Sequence, residues 1–491
     1  MAGRGVAAYH DSTRNGRGGQ RMDAAALRAR LNHPVIDADG HVLEYHPVLR
    51  DFVVEEGGAT AAPLFDAFIS RVDLSAIPIG ERRRRRITRG PWWGFPSQNT
   101  LDRATAMLPA LLCQRLDEFG IDFSVSYPTF GLGVDLIMAD ELRLPFARAC
   151  NRYAMEVMFE RRDRLEPVAV IPMRTPQEAL VELEFAVARH GFKAVVMSGV
   201  IVRPVDGARN VPGAVWVDTV AHDSPYDYDP VWLRCSELGI APTFHAVGSG
   251  WGTHASSTSF VFNHIGHFAT AQEATCRALV LGGVAKRFPE LRFSFLEGGV
   301  AYAATLCADL TGHFDKRNVV AIQSYDPDRL DRRLVRSLFE RHGSSRVKAA
   351  LDRLDGALAP LAADRVGADE RDEFAASGIT APDQIAELFT SRFFFGCEAD
   401  DPMAAVAFDP RLPPVGEELR AMFASDIGHF DVPDCREVLP ESWELVEHGR
   451  IDREQFRKFT FSNAAALWTA RNPAFFEGTQ VADAVRNEIR L

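Results

Sequence analysis

Eight short runs of β-branched and aromatic residues recur along this chain, most of them separated by stretches with helical periodicity. Such an alternation specifies parallel strands joined by helical crossovers, because a tight turn cannot close a parallel pair. The runs are 34–39 (PVIDAD), 123–129 (FSVSYPT), 165–173 (LEPVAVIPM), 191–197 (GFKAVVM), 240–247 (IAPTFHAV), 291–299 (LRFSFLEGG), 392–398 (RFFFGCE) and 421–426 (AMFASD). Between the third and fourth, Ala179, Leu180, Leu183 and Ala186 form an apolar helical stripe, and Gly191 stands at the usual stop. Eight units of this kind predict an α/β chain folded as a distorted TIM (β/α)8 barrel with large helical insertions. An open nucleotide-binding sheet is disfavoured, since no strand-to-helix turn carries GxGxxG and no GxxxxGK[ST] occurs.

The spacing of the runs also divides the chain. Residues 1–30 read as a polar, Gly/Arg-rich N-terminal extension, 31–475 as the barrel, and 476–491 as a C-terminal tail. Two stretches within the barrel, 47–105 and 318–390, overrun the length of one unit. They are expected to be folded lids or association surfaces, because long structureless loops are uncommon in compact proteins. Residues 198–230, rich in Pro, Gly, Asp and Tyr, read as an ordered loop over the active site. Two helices around "PESWELVEHGRIDREQFRKFTFSNAAALW" close the barrel.

Charge and cysteine usage exclude several function classes. A net charge of -12 repels phosphate backbones, so no nucleic-acid partner is expected. The run Arg82–Arg86 reads first as a solvated loop, with a local anion or membrane contact as the alternative. Seven cysteines without a CxxC pair indicate neither a disulfide scaffold nor a thiolate zinc site, which fits a reduced compartment. There is no secretory h-region and no apolar run long enough for a membrane span. The expectation is a cytoplasmic protein without membrane contact, assembled as a homodimer or larger.

The candidate chemistry sits where the runs end. Asp39 and His41 are two positions apart in "VIDADGHVLE" and so point to one face. A carboxylate and an imidazole so placed make half of a site for a divalent ion. Asp37 shares their parity, and Glu44 follows as a group that orients His41 or reaches substrate. His245 lies in the apolar run "APTFHAV", where a buried imidazole needs a partner, and Asp426 ends "AMFASD". In a closed barrel these ends converge on one mouth. His264 and His267 in "FNHIGHF" and His429 in "SDIGHFD" are further candidates for contact with substrate, beside Asp431. Trp92, Trp93, Phe95 and Trp251 are candidates for a pocket wall. Lys193 opens the fourth run rather than ending it, which argues against a carbamylated lysine bridging two metals.

These motifs carry a resemblance. "DADGHVLE", His245, "FPELRFSFLEGG", "FASDIGH" and "FTFSNAAALW" resemble the amidohydrolase-related enzymes that include aminocarboxymuconate-semialdehyde decarboxylase and the resorcylate decarboxylases. The likeness spans about residues 30–472, with the two insertions outside the pattern of smaller members. It implies a distorted TIM barrel holding one divalent metal, zinc first and manganese second, on Asp39, His41, His245 and Asp426. Asp39 stands where members place a His or Glu. Glu297 stands where the decarboxylase pattern FPxLxFxxxHGG places a histidine; it can act as a base but not as a cationic donor. The expectation is therefore a metal-dependent hydrolase of a carbonyl-containing small organic substrate. Asp426 or Glu297 would take the proton, and His267 or His429 would meet the oxyanion. The alternative is a metal-dependent non-oxidative decarboxylase.

Overall fold

The structure is a computed structural model that describes residues 22–72, 77–91, 94–208, 214–245, 252–358, 372–412 and 416–490. Trp92, Trp93 and Trp251, and residues 1–21 of the N-terminal extension, lie outside the described residues.

Eight parallel strands form one nearly closed barrel, in the order β1 (Ile36–Val42), β2 (Phe123–Pro128), β3 (Leu165–Ile171), β4 (Ala194–Met197), β7 (Pro242–Phe244), β8 (Phe293–Phe295), β9 (Phe393–Glu398) and β10 (Arg420–Ala424). This is the distorted (β/α)8 barrel that the alternating pattern predicts. The seam between first and last strands is joined past the end of β10. There the Asp426 N–H donates to the Asp39 carbonyl (3.0 Å), and the His41 N–H donates to the Ile427 carbonyl (2.8 Å).

Side-chain alternation explains the two-layer packing. Phe244, Phe293 and Phe295 stack as a ladder, and Trp232 of the helix Asp229–Leu238 packs edge-on against Phe244 and Phe293. Those rings face the helical layer. Their neighbours Thr243, Ser294 and Leu296 therefore turn toward the barrel axis. His245 shares the parity of Thr243 and faces the same way. In the helix that starts at Pro176, Ala179, Leu183 and Ala186 are buried, and Thr175 caps its N-terminus by accepting from the Glu178 N–H.

The stretch 198–230, expected as a loop, instead contains an antiparallel hairpin of β5 (Ile201–Pro204) and β6 (Val215–Asp218). Buried Arg203 fixes it. Its guanidinium donates to Asp218 (2.5 Å), to the Arg174 carbonyl (2.9 Å) and to the Tyr228 hydroxyl (3.0 Å). The 47–105 insertion is helical over His46–Gly57, Ala61–Val72, Ile79–Arg85 and Thr100–Met107. Arg82–Arg86 is accordingly not a solvated loop. Four of its residues end the helix Ile79–Arg85, Arg86 takes a left-handed cap (φ 54°), and Arg82 is buried. The 318–390 insertion carries the helix Arg332–His342, on which no residue is buried. After β10, the helices Val438–Glu447, Arg453–Arg457 and Asn463–Thr469 pack on the barrel. In the tail, Phe476 meets Phe123 edge-on (5.3 Å) and Val485 is buried. Among the described residues, no helix is long and apolar enough to cross a membrane.

Candidate metal centre

Strand ends supply the polar residues at the mouth. β1 has a register shift against β2 between Asp37 and Gly40, and this irregularity re-aims the side chains that follow. Gly40 is required there, because a Cβ would lie 2.4 Å from the Asp37 carboxylate and 2.5 Å from Ser124 Oγ. Asp39 and His41, on the last turns of β1, are both almost fully buried. His245 follows β7 directly.

Glu297 and Asp426 each lie two residues past a strand, and both have left-handed backbones, φ 58° and 52°. For non-glycine residues that conformation is uncommon and costs energy, and such strain collects at functional sites. Strict alternation from Phe293 and Phe295 would turn Glu297 outward. The positive φ turns it back over the mouth.

Donor atoms from these four strand ends converge. His41 Nε2 lies 3.2 Å from His245 Nε2, 3.4 Å from Asp39 Oδ1 and 3.2 Å from Asp426 Oδ1. His245 Nε2 is 3.7 Å from Asp39 Oδ1, and its Nδ1 is 3.2 Å from Glu297 Oε2. His429, in the loop after β10, places Nδ1 2.7 Å from Asp426 Oδ1 and 3.2 Å from Glu297 Oε1. Its ring stacks on His41 with centres 3.6 Å apart. Two overlapping sets thus form, Asp39–His41–His245 and His41–Glu297–Asp426–His429, and every member is buried.

These donors fit a divalent cation. Ligand atoms each about 2.0–2.2 Å from one zinc ion can be at most ~4.4 Å apart, and the separations around His41 Nε2 all fall inside that limit. Both Asp39 oxygens are buried without a hydrogen-bond donor. That is unfavourable for a carboxylate unless a cation faces it. Imidazole and carboxylate ligands together suit zinc or manganese.

The electrostatics agree. Burial, then repulsion from Glu297 and Asp426, raises Asp39 well above the usual carboxylate range. Burial pushes Glu297 up to about 7 and pulls His41 down to about 4, with the His429 charge adding to the latter. Burial alone would raise Asp426 and lower His429. Their mutual attraction, helped by His41 at Asp426 and by Glu297 at His429, reverses both directions.

The other expected residues fall at varied distances from this cluster. His267 is buried in the first turn of the helix His267–Leu281, edge-on to His254, and joins neither donor set. His264 hydrogen-bonds the Pro91 carbonyl (2.8 Å). Glu44 does not orient His41; its carboxylate accepts the Phe130 and Gly131 N–H groups, both at 2.9 Å. Phe95 lies under the Arg103 guanidinium. Lys193 donates to the Phe475 carbonyl (2.7 Å), far down the strand from the mouth. One carboxylate, Glu398, passed unnoticed in the sequence, and Asp431 stands beside His429 as its motif implies. Glu398 ends β9, and burial, then Asp426 and Glu297, raise it well above its ordinary range. Asp431 is pushed up to about 10 by burial and by Asp426. The ending rule that singled out Asp426 applies equally to Glu398.

Residues 36–347 match the family model described as amidohydrolase. No curated protein sequence matches the chain. Among solved structures, the amidohydrolase map2389c from Mycobacterium avium subsp. paratuberculosis K-10 aligns at 18% identity and a TM-score of 0.52, over 89% of this chain and 100% of that one. A dihydroxybenzoic acid decarboxylase from Polaromonas sp. JS666, with bound manganese and 2-nitroresorcinol, aligns at 13% identity and 0.49, over 89% and 97%. A 2,6-dihydroxybenzoate decarboxylase from Rhizobium aligns at 13% and 0.48, over 89% and 99%. At 18% identity the likeness to the first of these is one of fold. Together with the buried histidine–carboxylate cluster at the barrel mouth, the family match establishes that this chain belongs to the amidohydrolase family, as a metal-dependent enzyme.

Proposed function

We propose that the chain is a metal-dependent carboxy-lyase that removes CO2 without oxidation from a small organic acid. The observation that carries this reading is His429. Glu297 in place of a histidine had counted against decarboxylation, because a carboxylate is no cationic donor. His429 supplies that donor from the loop after β10, 3.2 Å from Glu297 and stacked on His41.

A zinc or manganese ion held by Asp39, His41, His245 and Asp426 would draw electron density from a substrate carboxylate and its neighbouring oxygen. The chain's own groups do the rest. Asp426 and Glu297 both hold Nδ1 of His429, which leaves its Nε2–H to face substrate. The bond between carbon and carboxylate breaks, CO2 departs, and the electron pair left on carbon takes the Nε2 proton. Asp426 and Glu297 keep the Nδ1 proton in place throughout, and Nε2 regains its proton from water once the product has left. Tyr127, with its ring 5.9 Å from His41 and 6.0 Å from His245 and its hydroxyl tied to Thr243, walls the site beneath.

Hydrolysis is the second reading, and Glu297 favours it. A carboxyl pushed to about 7 beside the cation site is suited to take a proton from water near neutrality. Zinc- or manganese-loaded protein should be offered hydroxybenzoates on one side and aryl esters and anilides on the other, following CO2 and acid release. Release of CO2 supports the first reading. Acid release from an ester or anilide with no CO2 from any acid replaces it with the second.

A further inference from the structure

The five arginines Arg82–Arg86 include one that is largely closed to water. Arg82 is 7% exposed, and neither its Nε nor its Nη1 has an acceptor among the described residues. Glu81, the one carboxylate on its helix, is already engaged. Arg84 grips it at 3.0 and 2.6 Å, and Arg85 lies 3.8 Å away. A guanidinium stays protonated at any working pH, so its burial without a counter-charge is unfavourable unless an anion joins it.

The same segment carries a second, half-buried guanidinium with one unmatched nitrogen. Arg89 Nε is also closed to water without an acceptor, and the group lies over the Phe260 ring, 4.4 Å from its centre. The segment is firmly placed. The Ile87 N–H donates to the Arg82 carbonyl (3.0 Å) and the Arg89 N–H to the Ser256 carbonyl (2.9 Å). The Asn263 amide donates to the carbonyls of Arg89 (2.7 Å) and Ser256 (2.9 Å). Beyond it, His264 joins Pro91 to Phe430, the neighbour of His429. The arginine segment is thus fixed to the loops that border the barrel mouth.

We propose that Arg82 anchors an oxyanion site at this rim, taking a carboxylate or phosphate group. The planar fork of a guanidinium matches either one bidentately. This goes beyond the carboxy-lyase reading and does not depend on it, since the metal-free protein suffices for the test.

Thermal unfolding of chelator-treated full-length protein should be followed at constant ionic strength while inorganic phosphate or benzoate is added. One or both should raise Tm with saturation in the wild type and in Arg84→Gln, whose guanidinium is exposed. Which of the two acts identifies the source of the oxyanion. Arg82→Met should weaken that response by at least about tenfold without lowering Tm in anion-free buffer, because a buried charge has been removed. Arg82→Lys, which keeps the charge but loses the fork, should respond in between. Three results overturn the site: no saturable response in the wild type, an equal response in Arg82→Met, or an Arg82→Met protein that is destabilised or unfolded without anion. The last would mean that the chain itself neutralises Arg82.

Discussion

Ser425 donates twice to the Asp37 carboxylate, through its backbone N–H (2.9 Å) and through its hydroxyl (2.7 Å), across the seam between β1 and β10. Ser124 on β2 donates to the same carboxylate (2.8 Å), so one side chain ties three strands directly beneath the donor cluster. Asp37→Ala leaves these buried groups unmatched. It should cost about 3 kcal/mol or more in urea unfolding, and Asp37→Asn less. Metal affinity should fall together with stability. If Asp37→Ala unfolds like the wild type, the seam does not depend on this carboxylate.

Removing a proposed ligand should separate metal binding from folding. Asp426→Asn should weaken zinc or manganese binding by roughly 100-fold or more and abolish turnover. Both can be read by equilibrium dialysis with elemental analysis and by a steady-state assay. Chelation of the wild type should lower Tm, and Asp426→Asn should be insensitive to the chelator. Retained turnover would make Asp426 a structural carboxylate.

His429→Asn tests the proton donor. The variant should keep the metal while kcat falls by about 10²–10⁴-fold. Loss of metal with the activity would place His429 among the ligands instead.

His33 should report on pH. It is buried between Thr460 (3.0 Å) and Asn32 (3.1 Å), and burial, then Arg457 and Arg28, lower it to about 4. Because the folded value lies below the ordinary 6.5, folding favours the neutral ring. Its contribution is complete above pH 6.5 and is lost as pH falls through about 4. Between pH 7.5 and 4.5 the wild type should lose roughly 2–3 kcal/mol more than His33→Gln. Parallel losses in the two proteins would show that His33 does not carry the effect.

The eight strands were legible because each is a short β-branched or aromatic run. His41, His245 and Asp426 stood out because a polar residue closing such a run has a reason to be there. Other features depend on backbone shape, which no run of residue types displays. The left-handed turns at Glu297 and Asp426 are of this kind, as is the register shift after Asp37. The β5–β6 hairpin was read as a loop because its strands are four residues each, among prolines and aspartates. Arg82 was read as solvated because neighbouring arginines usually are; helical spacing instead sends one of them inward. His267 shares a motif with His264, but its helix starts at that residue and holds it apart from the donor sets.

The seam has a consequence for the order in which the molecule can be completed. Asp39 and His41 precede Asp426 and His429 by nearly four hundred residues and therefore emerge first during synthesis. A nascent chain that has not yet made β10 would hold Asp39, His41, His245 and Glu297 without Asp426 and His429, and no partner strand to zip against. Capture of the ion by the full donor set would then wait for β10 to dock against β1.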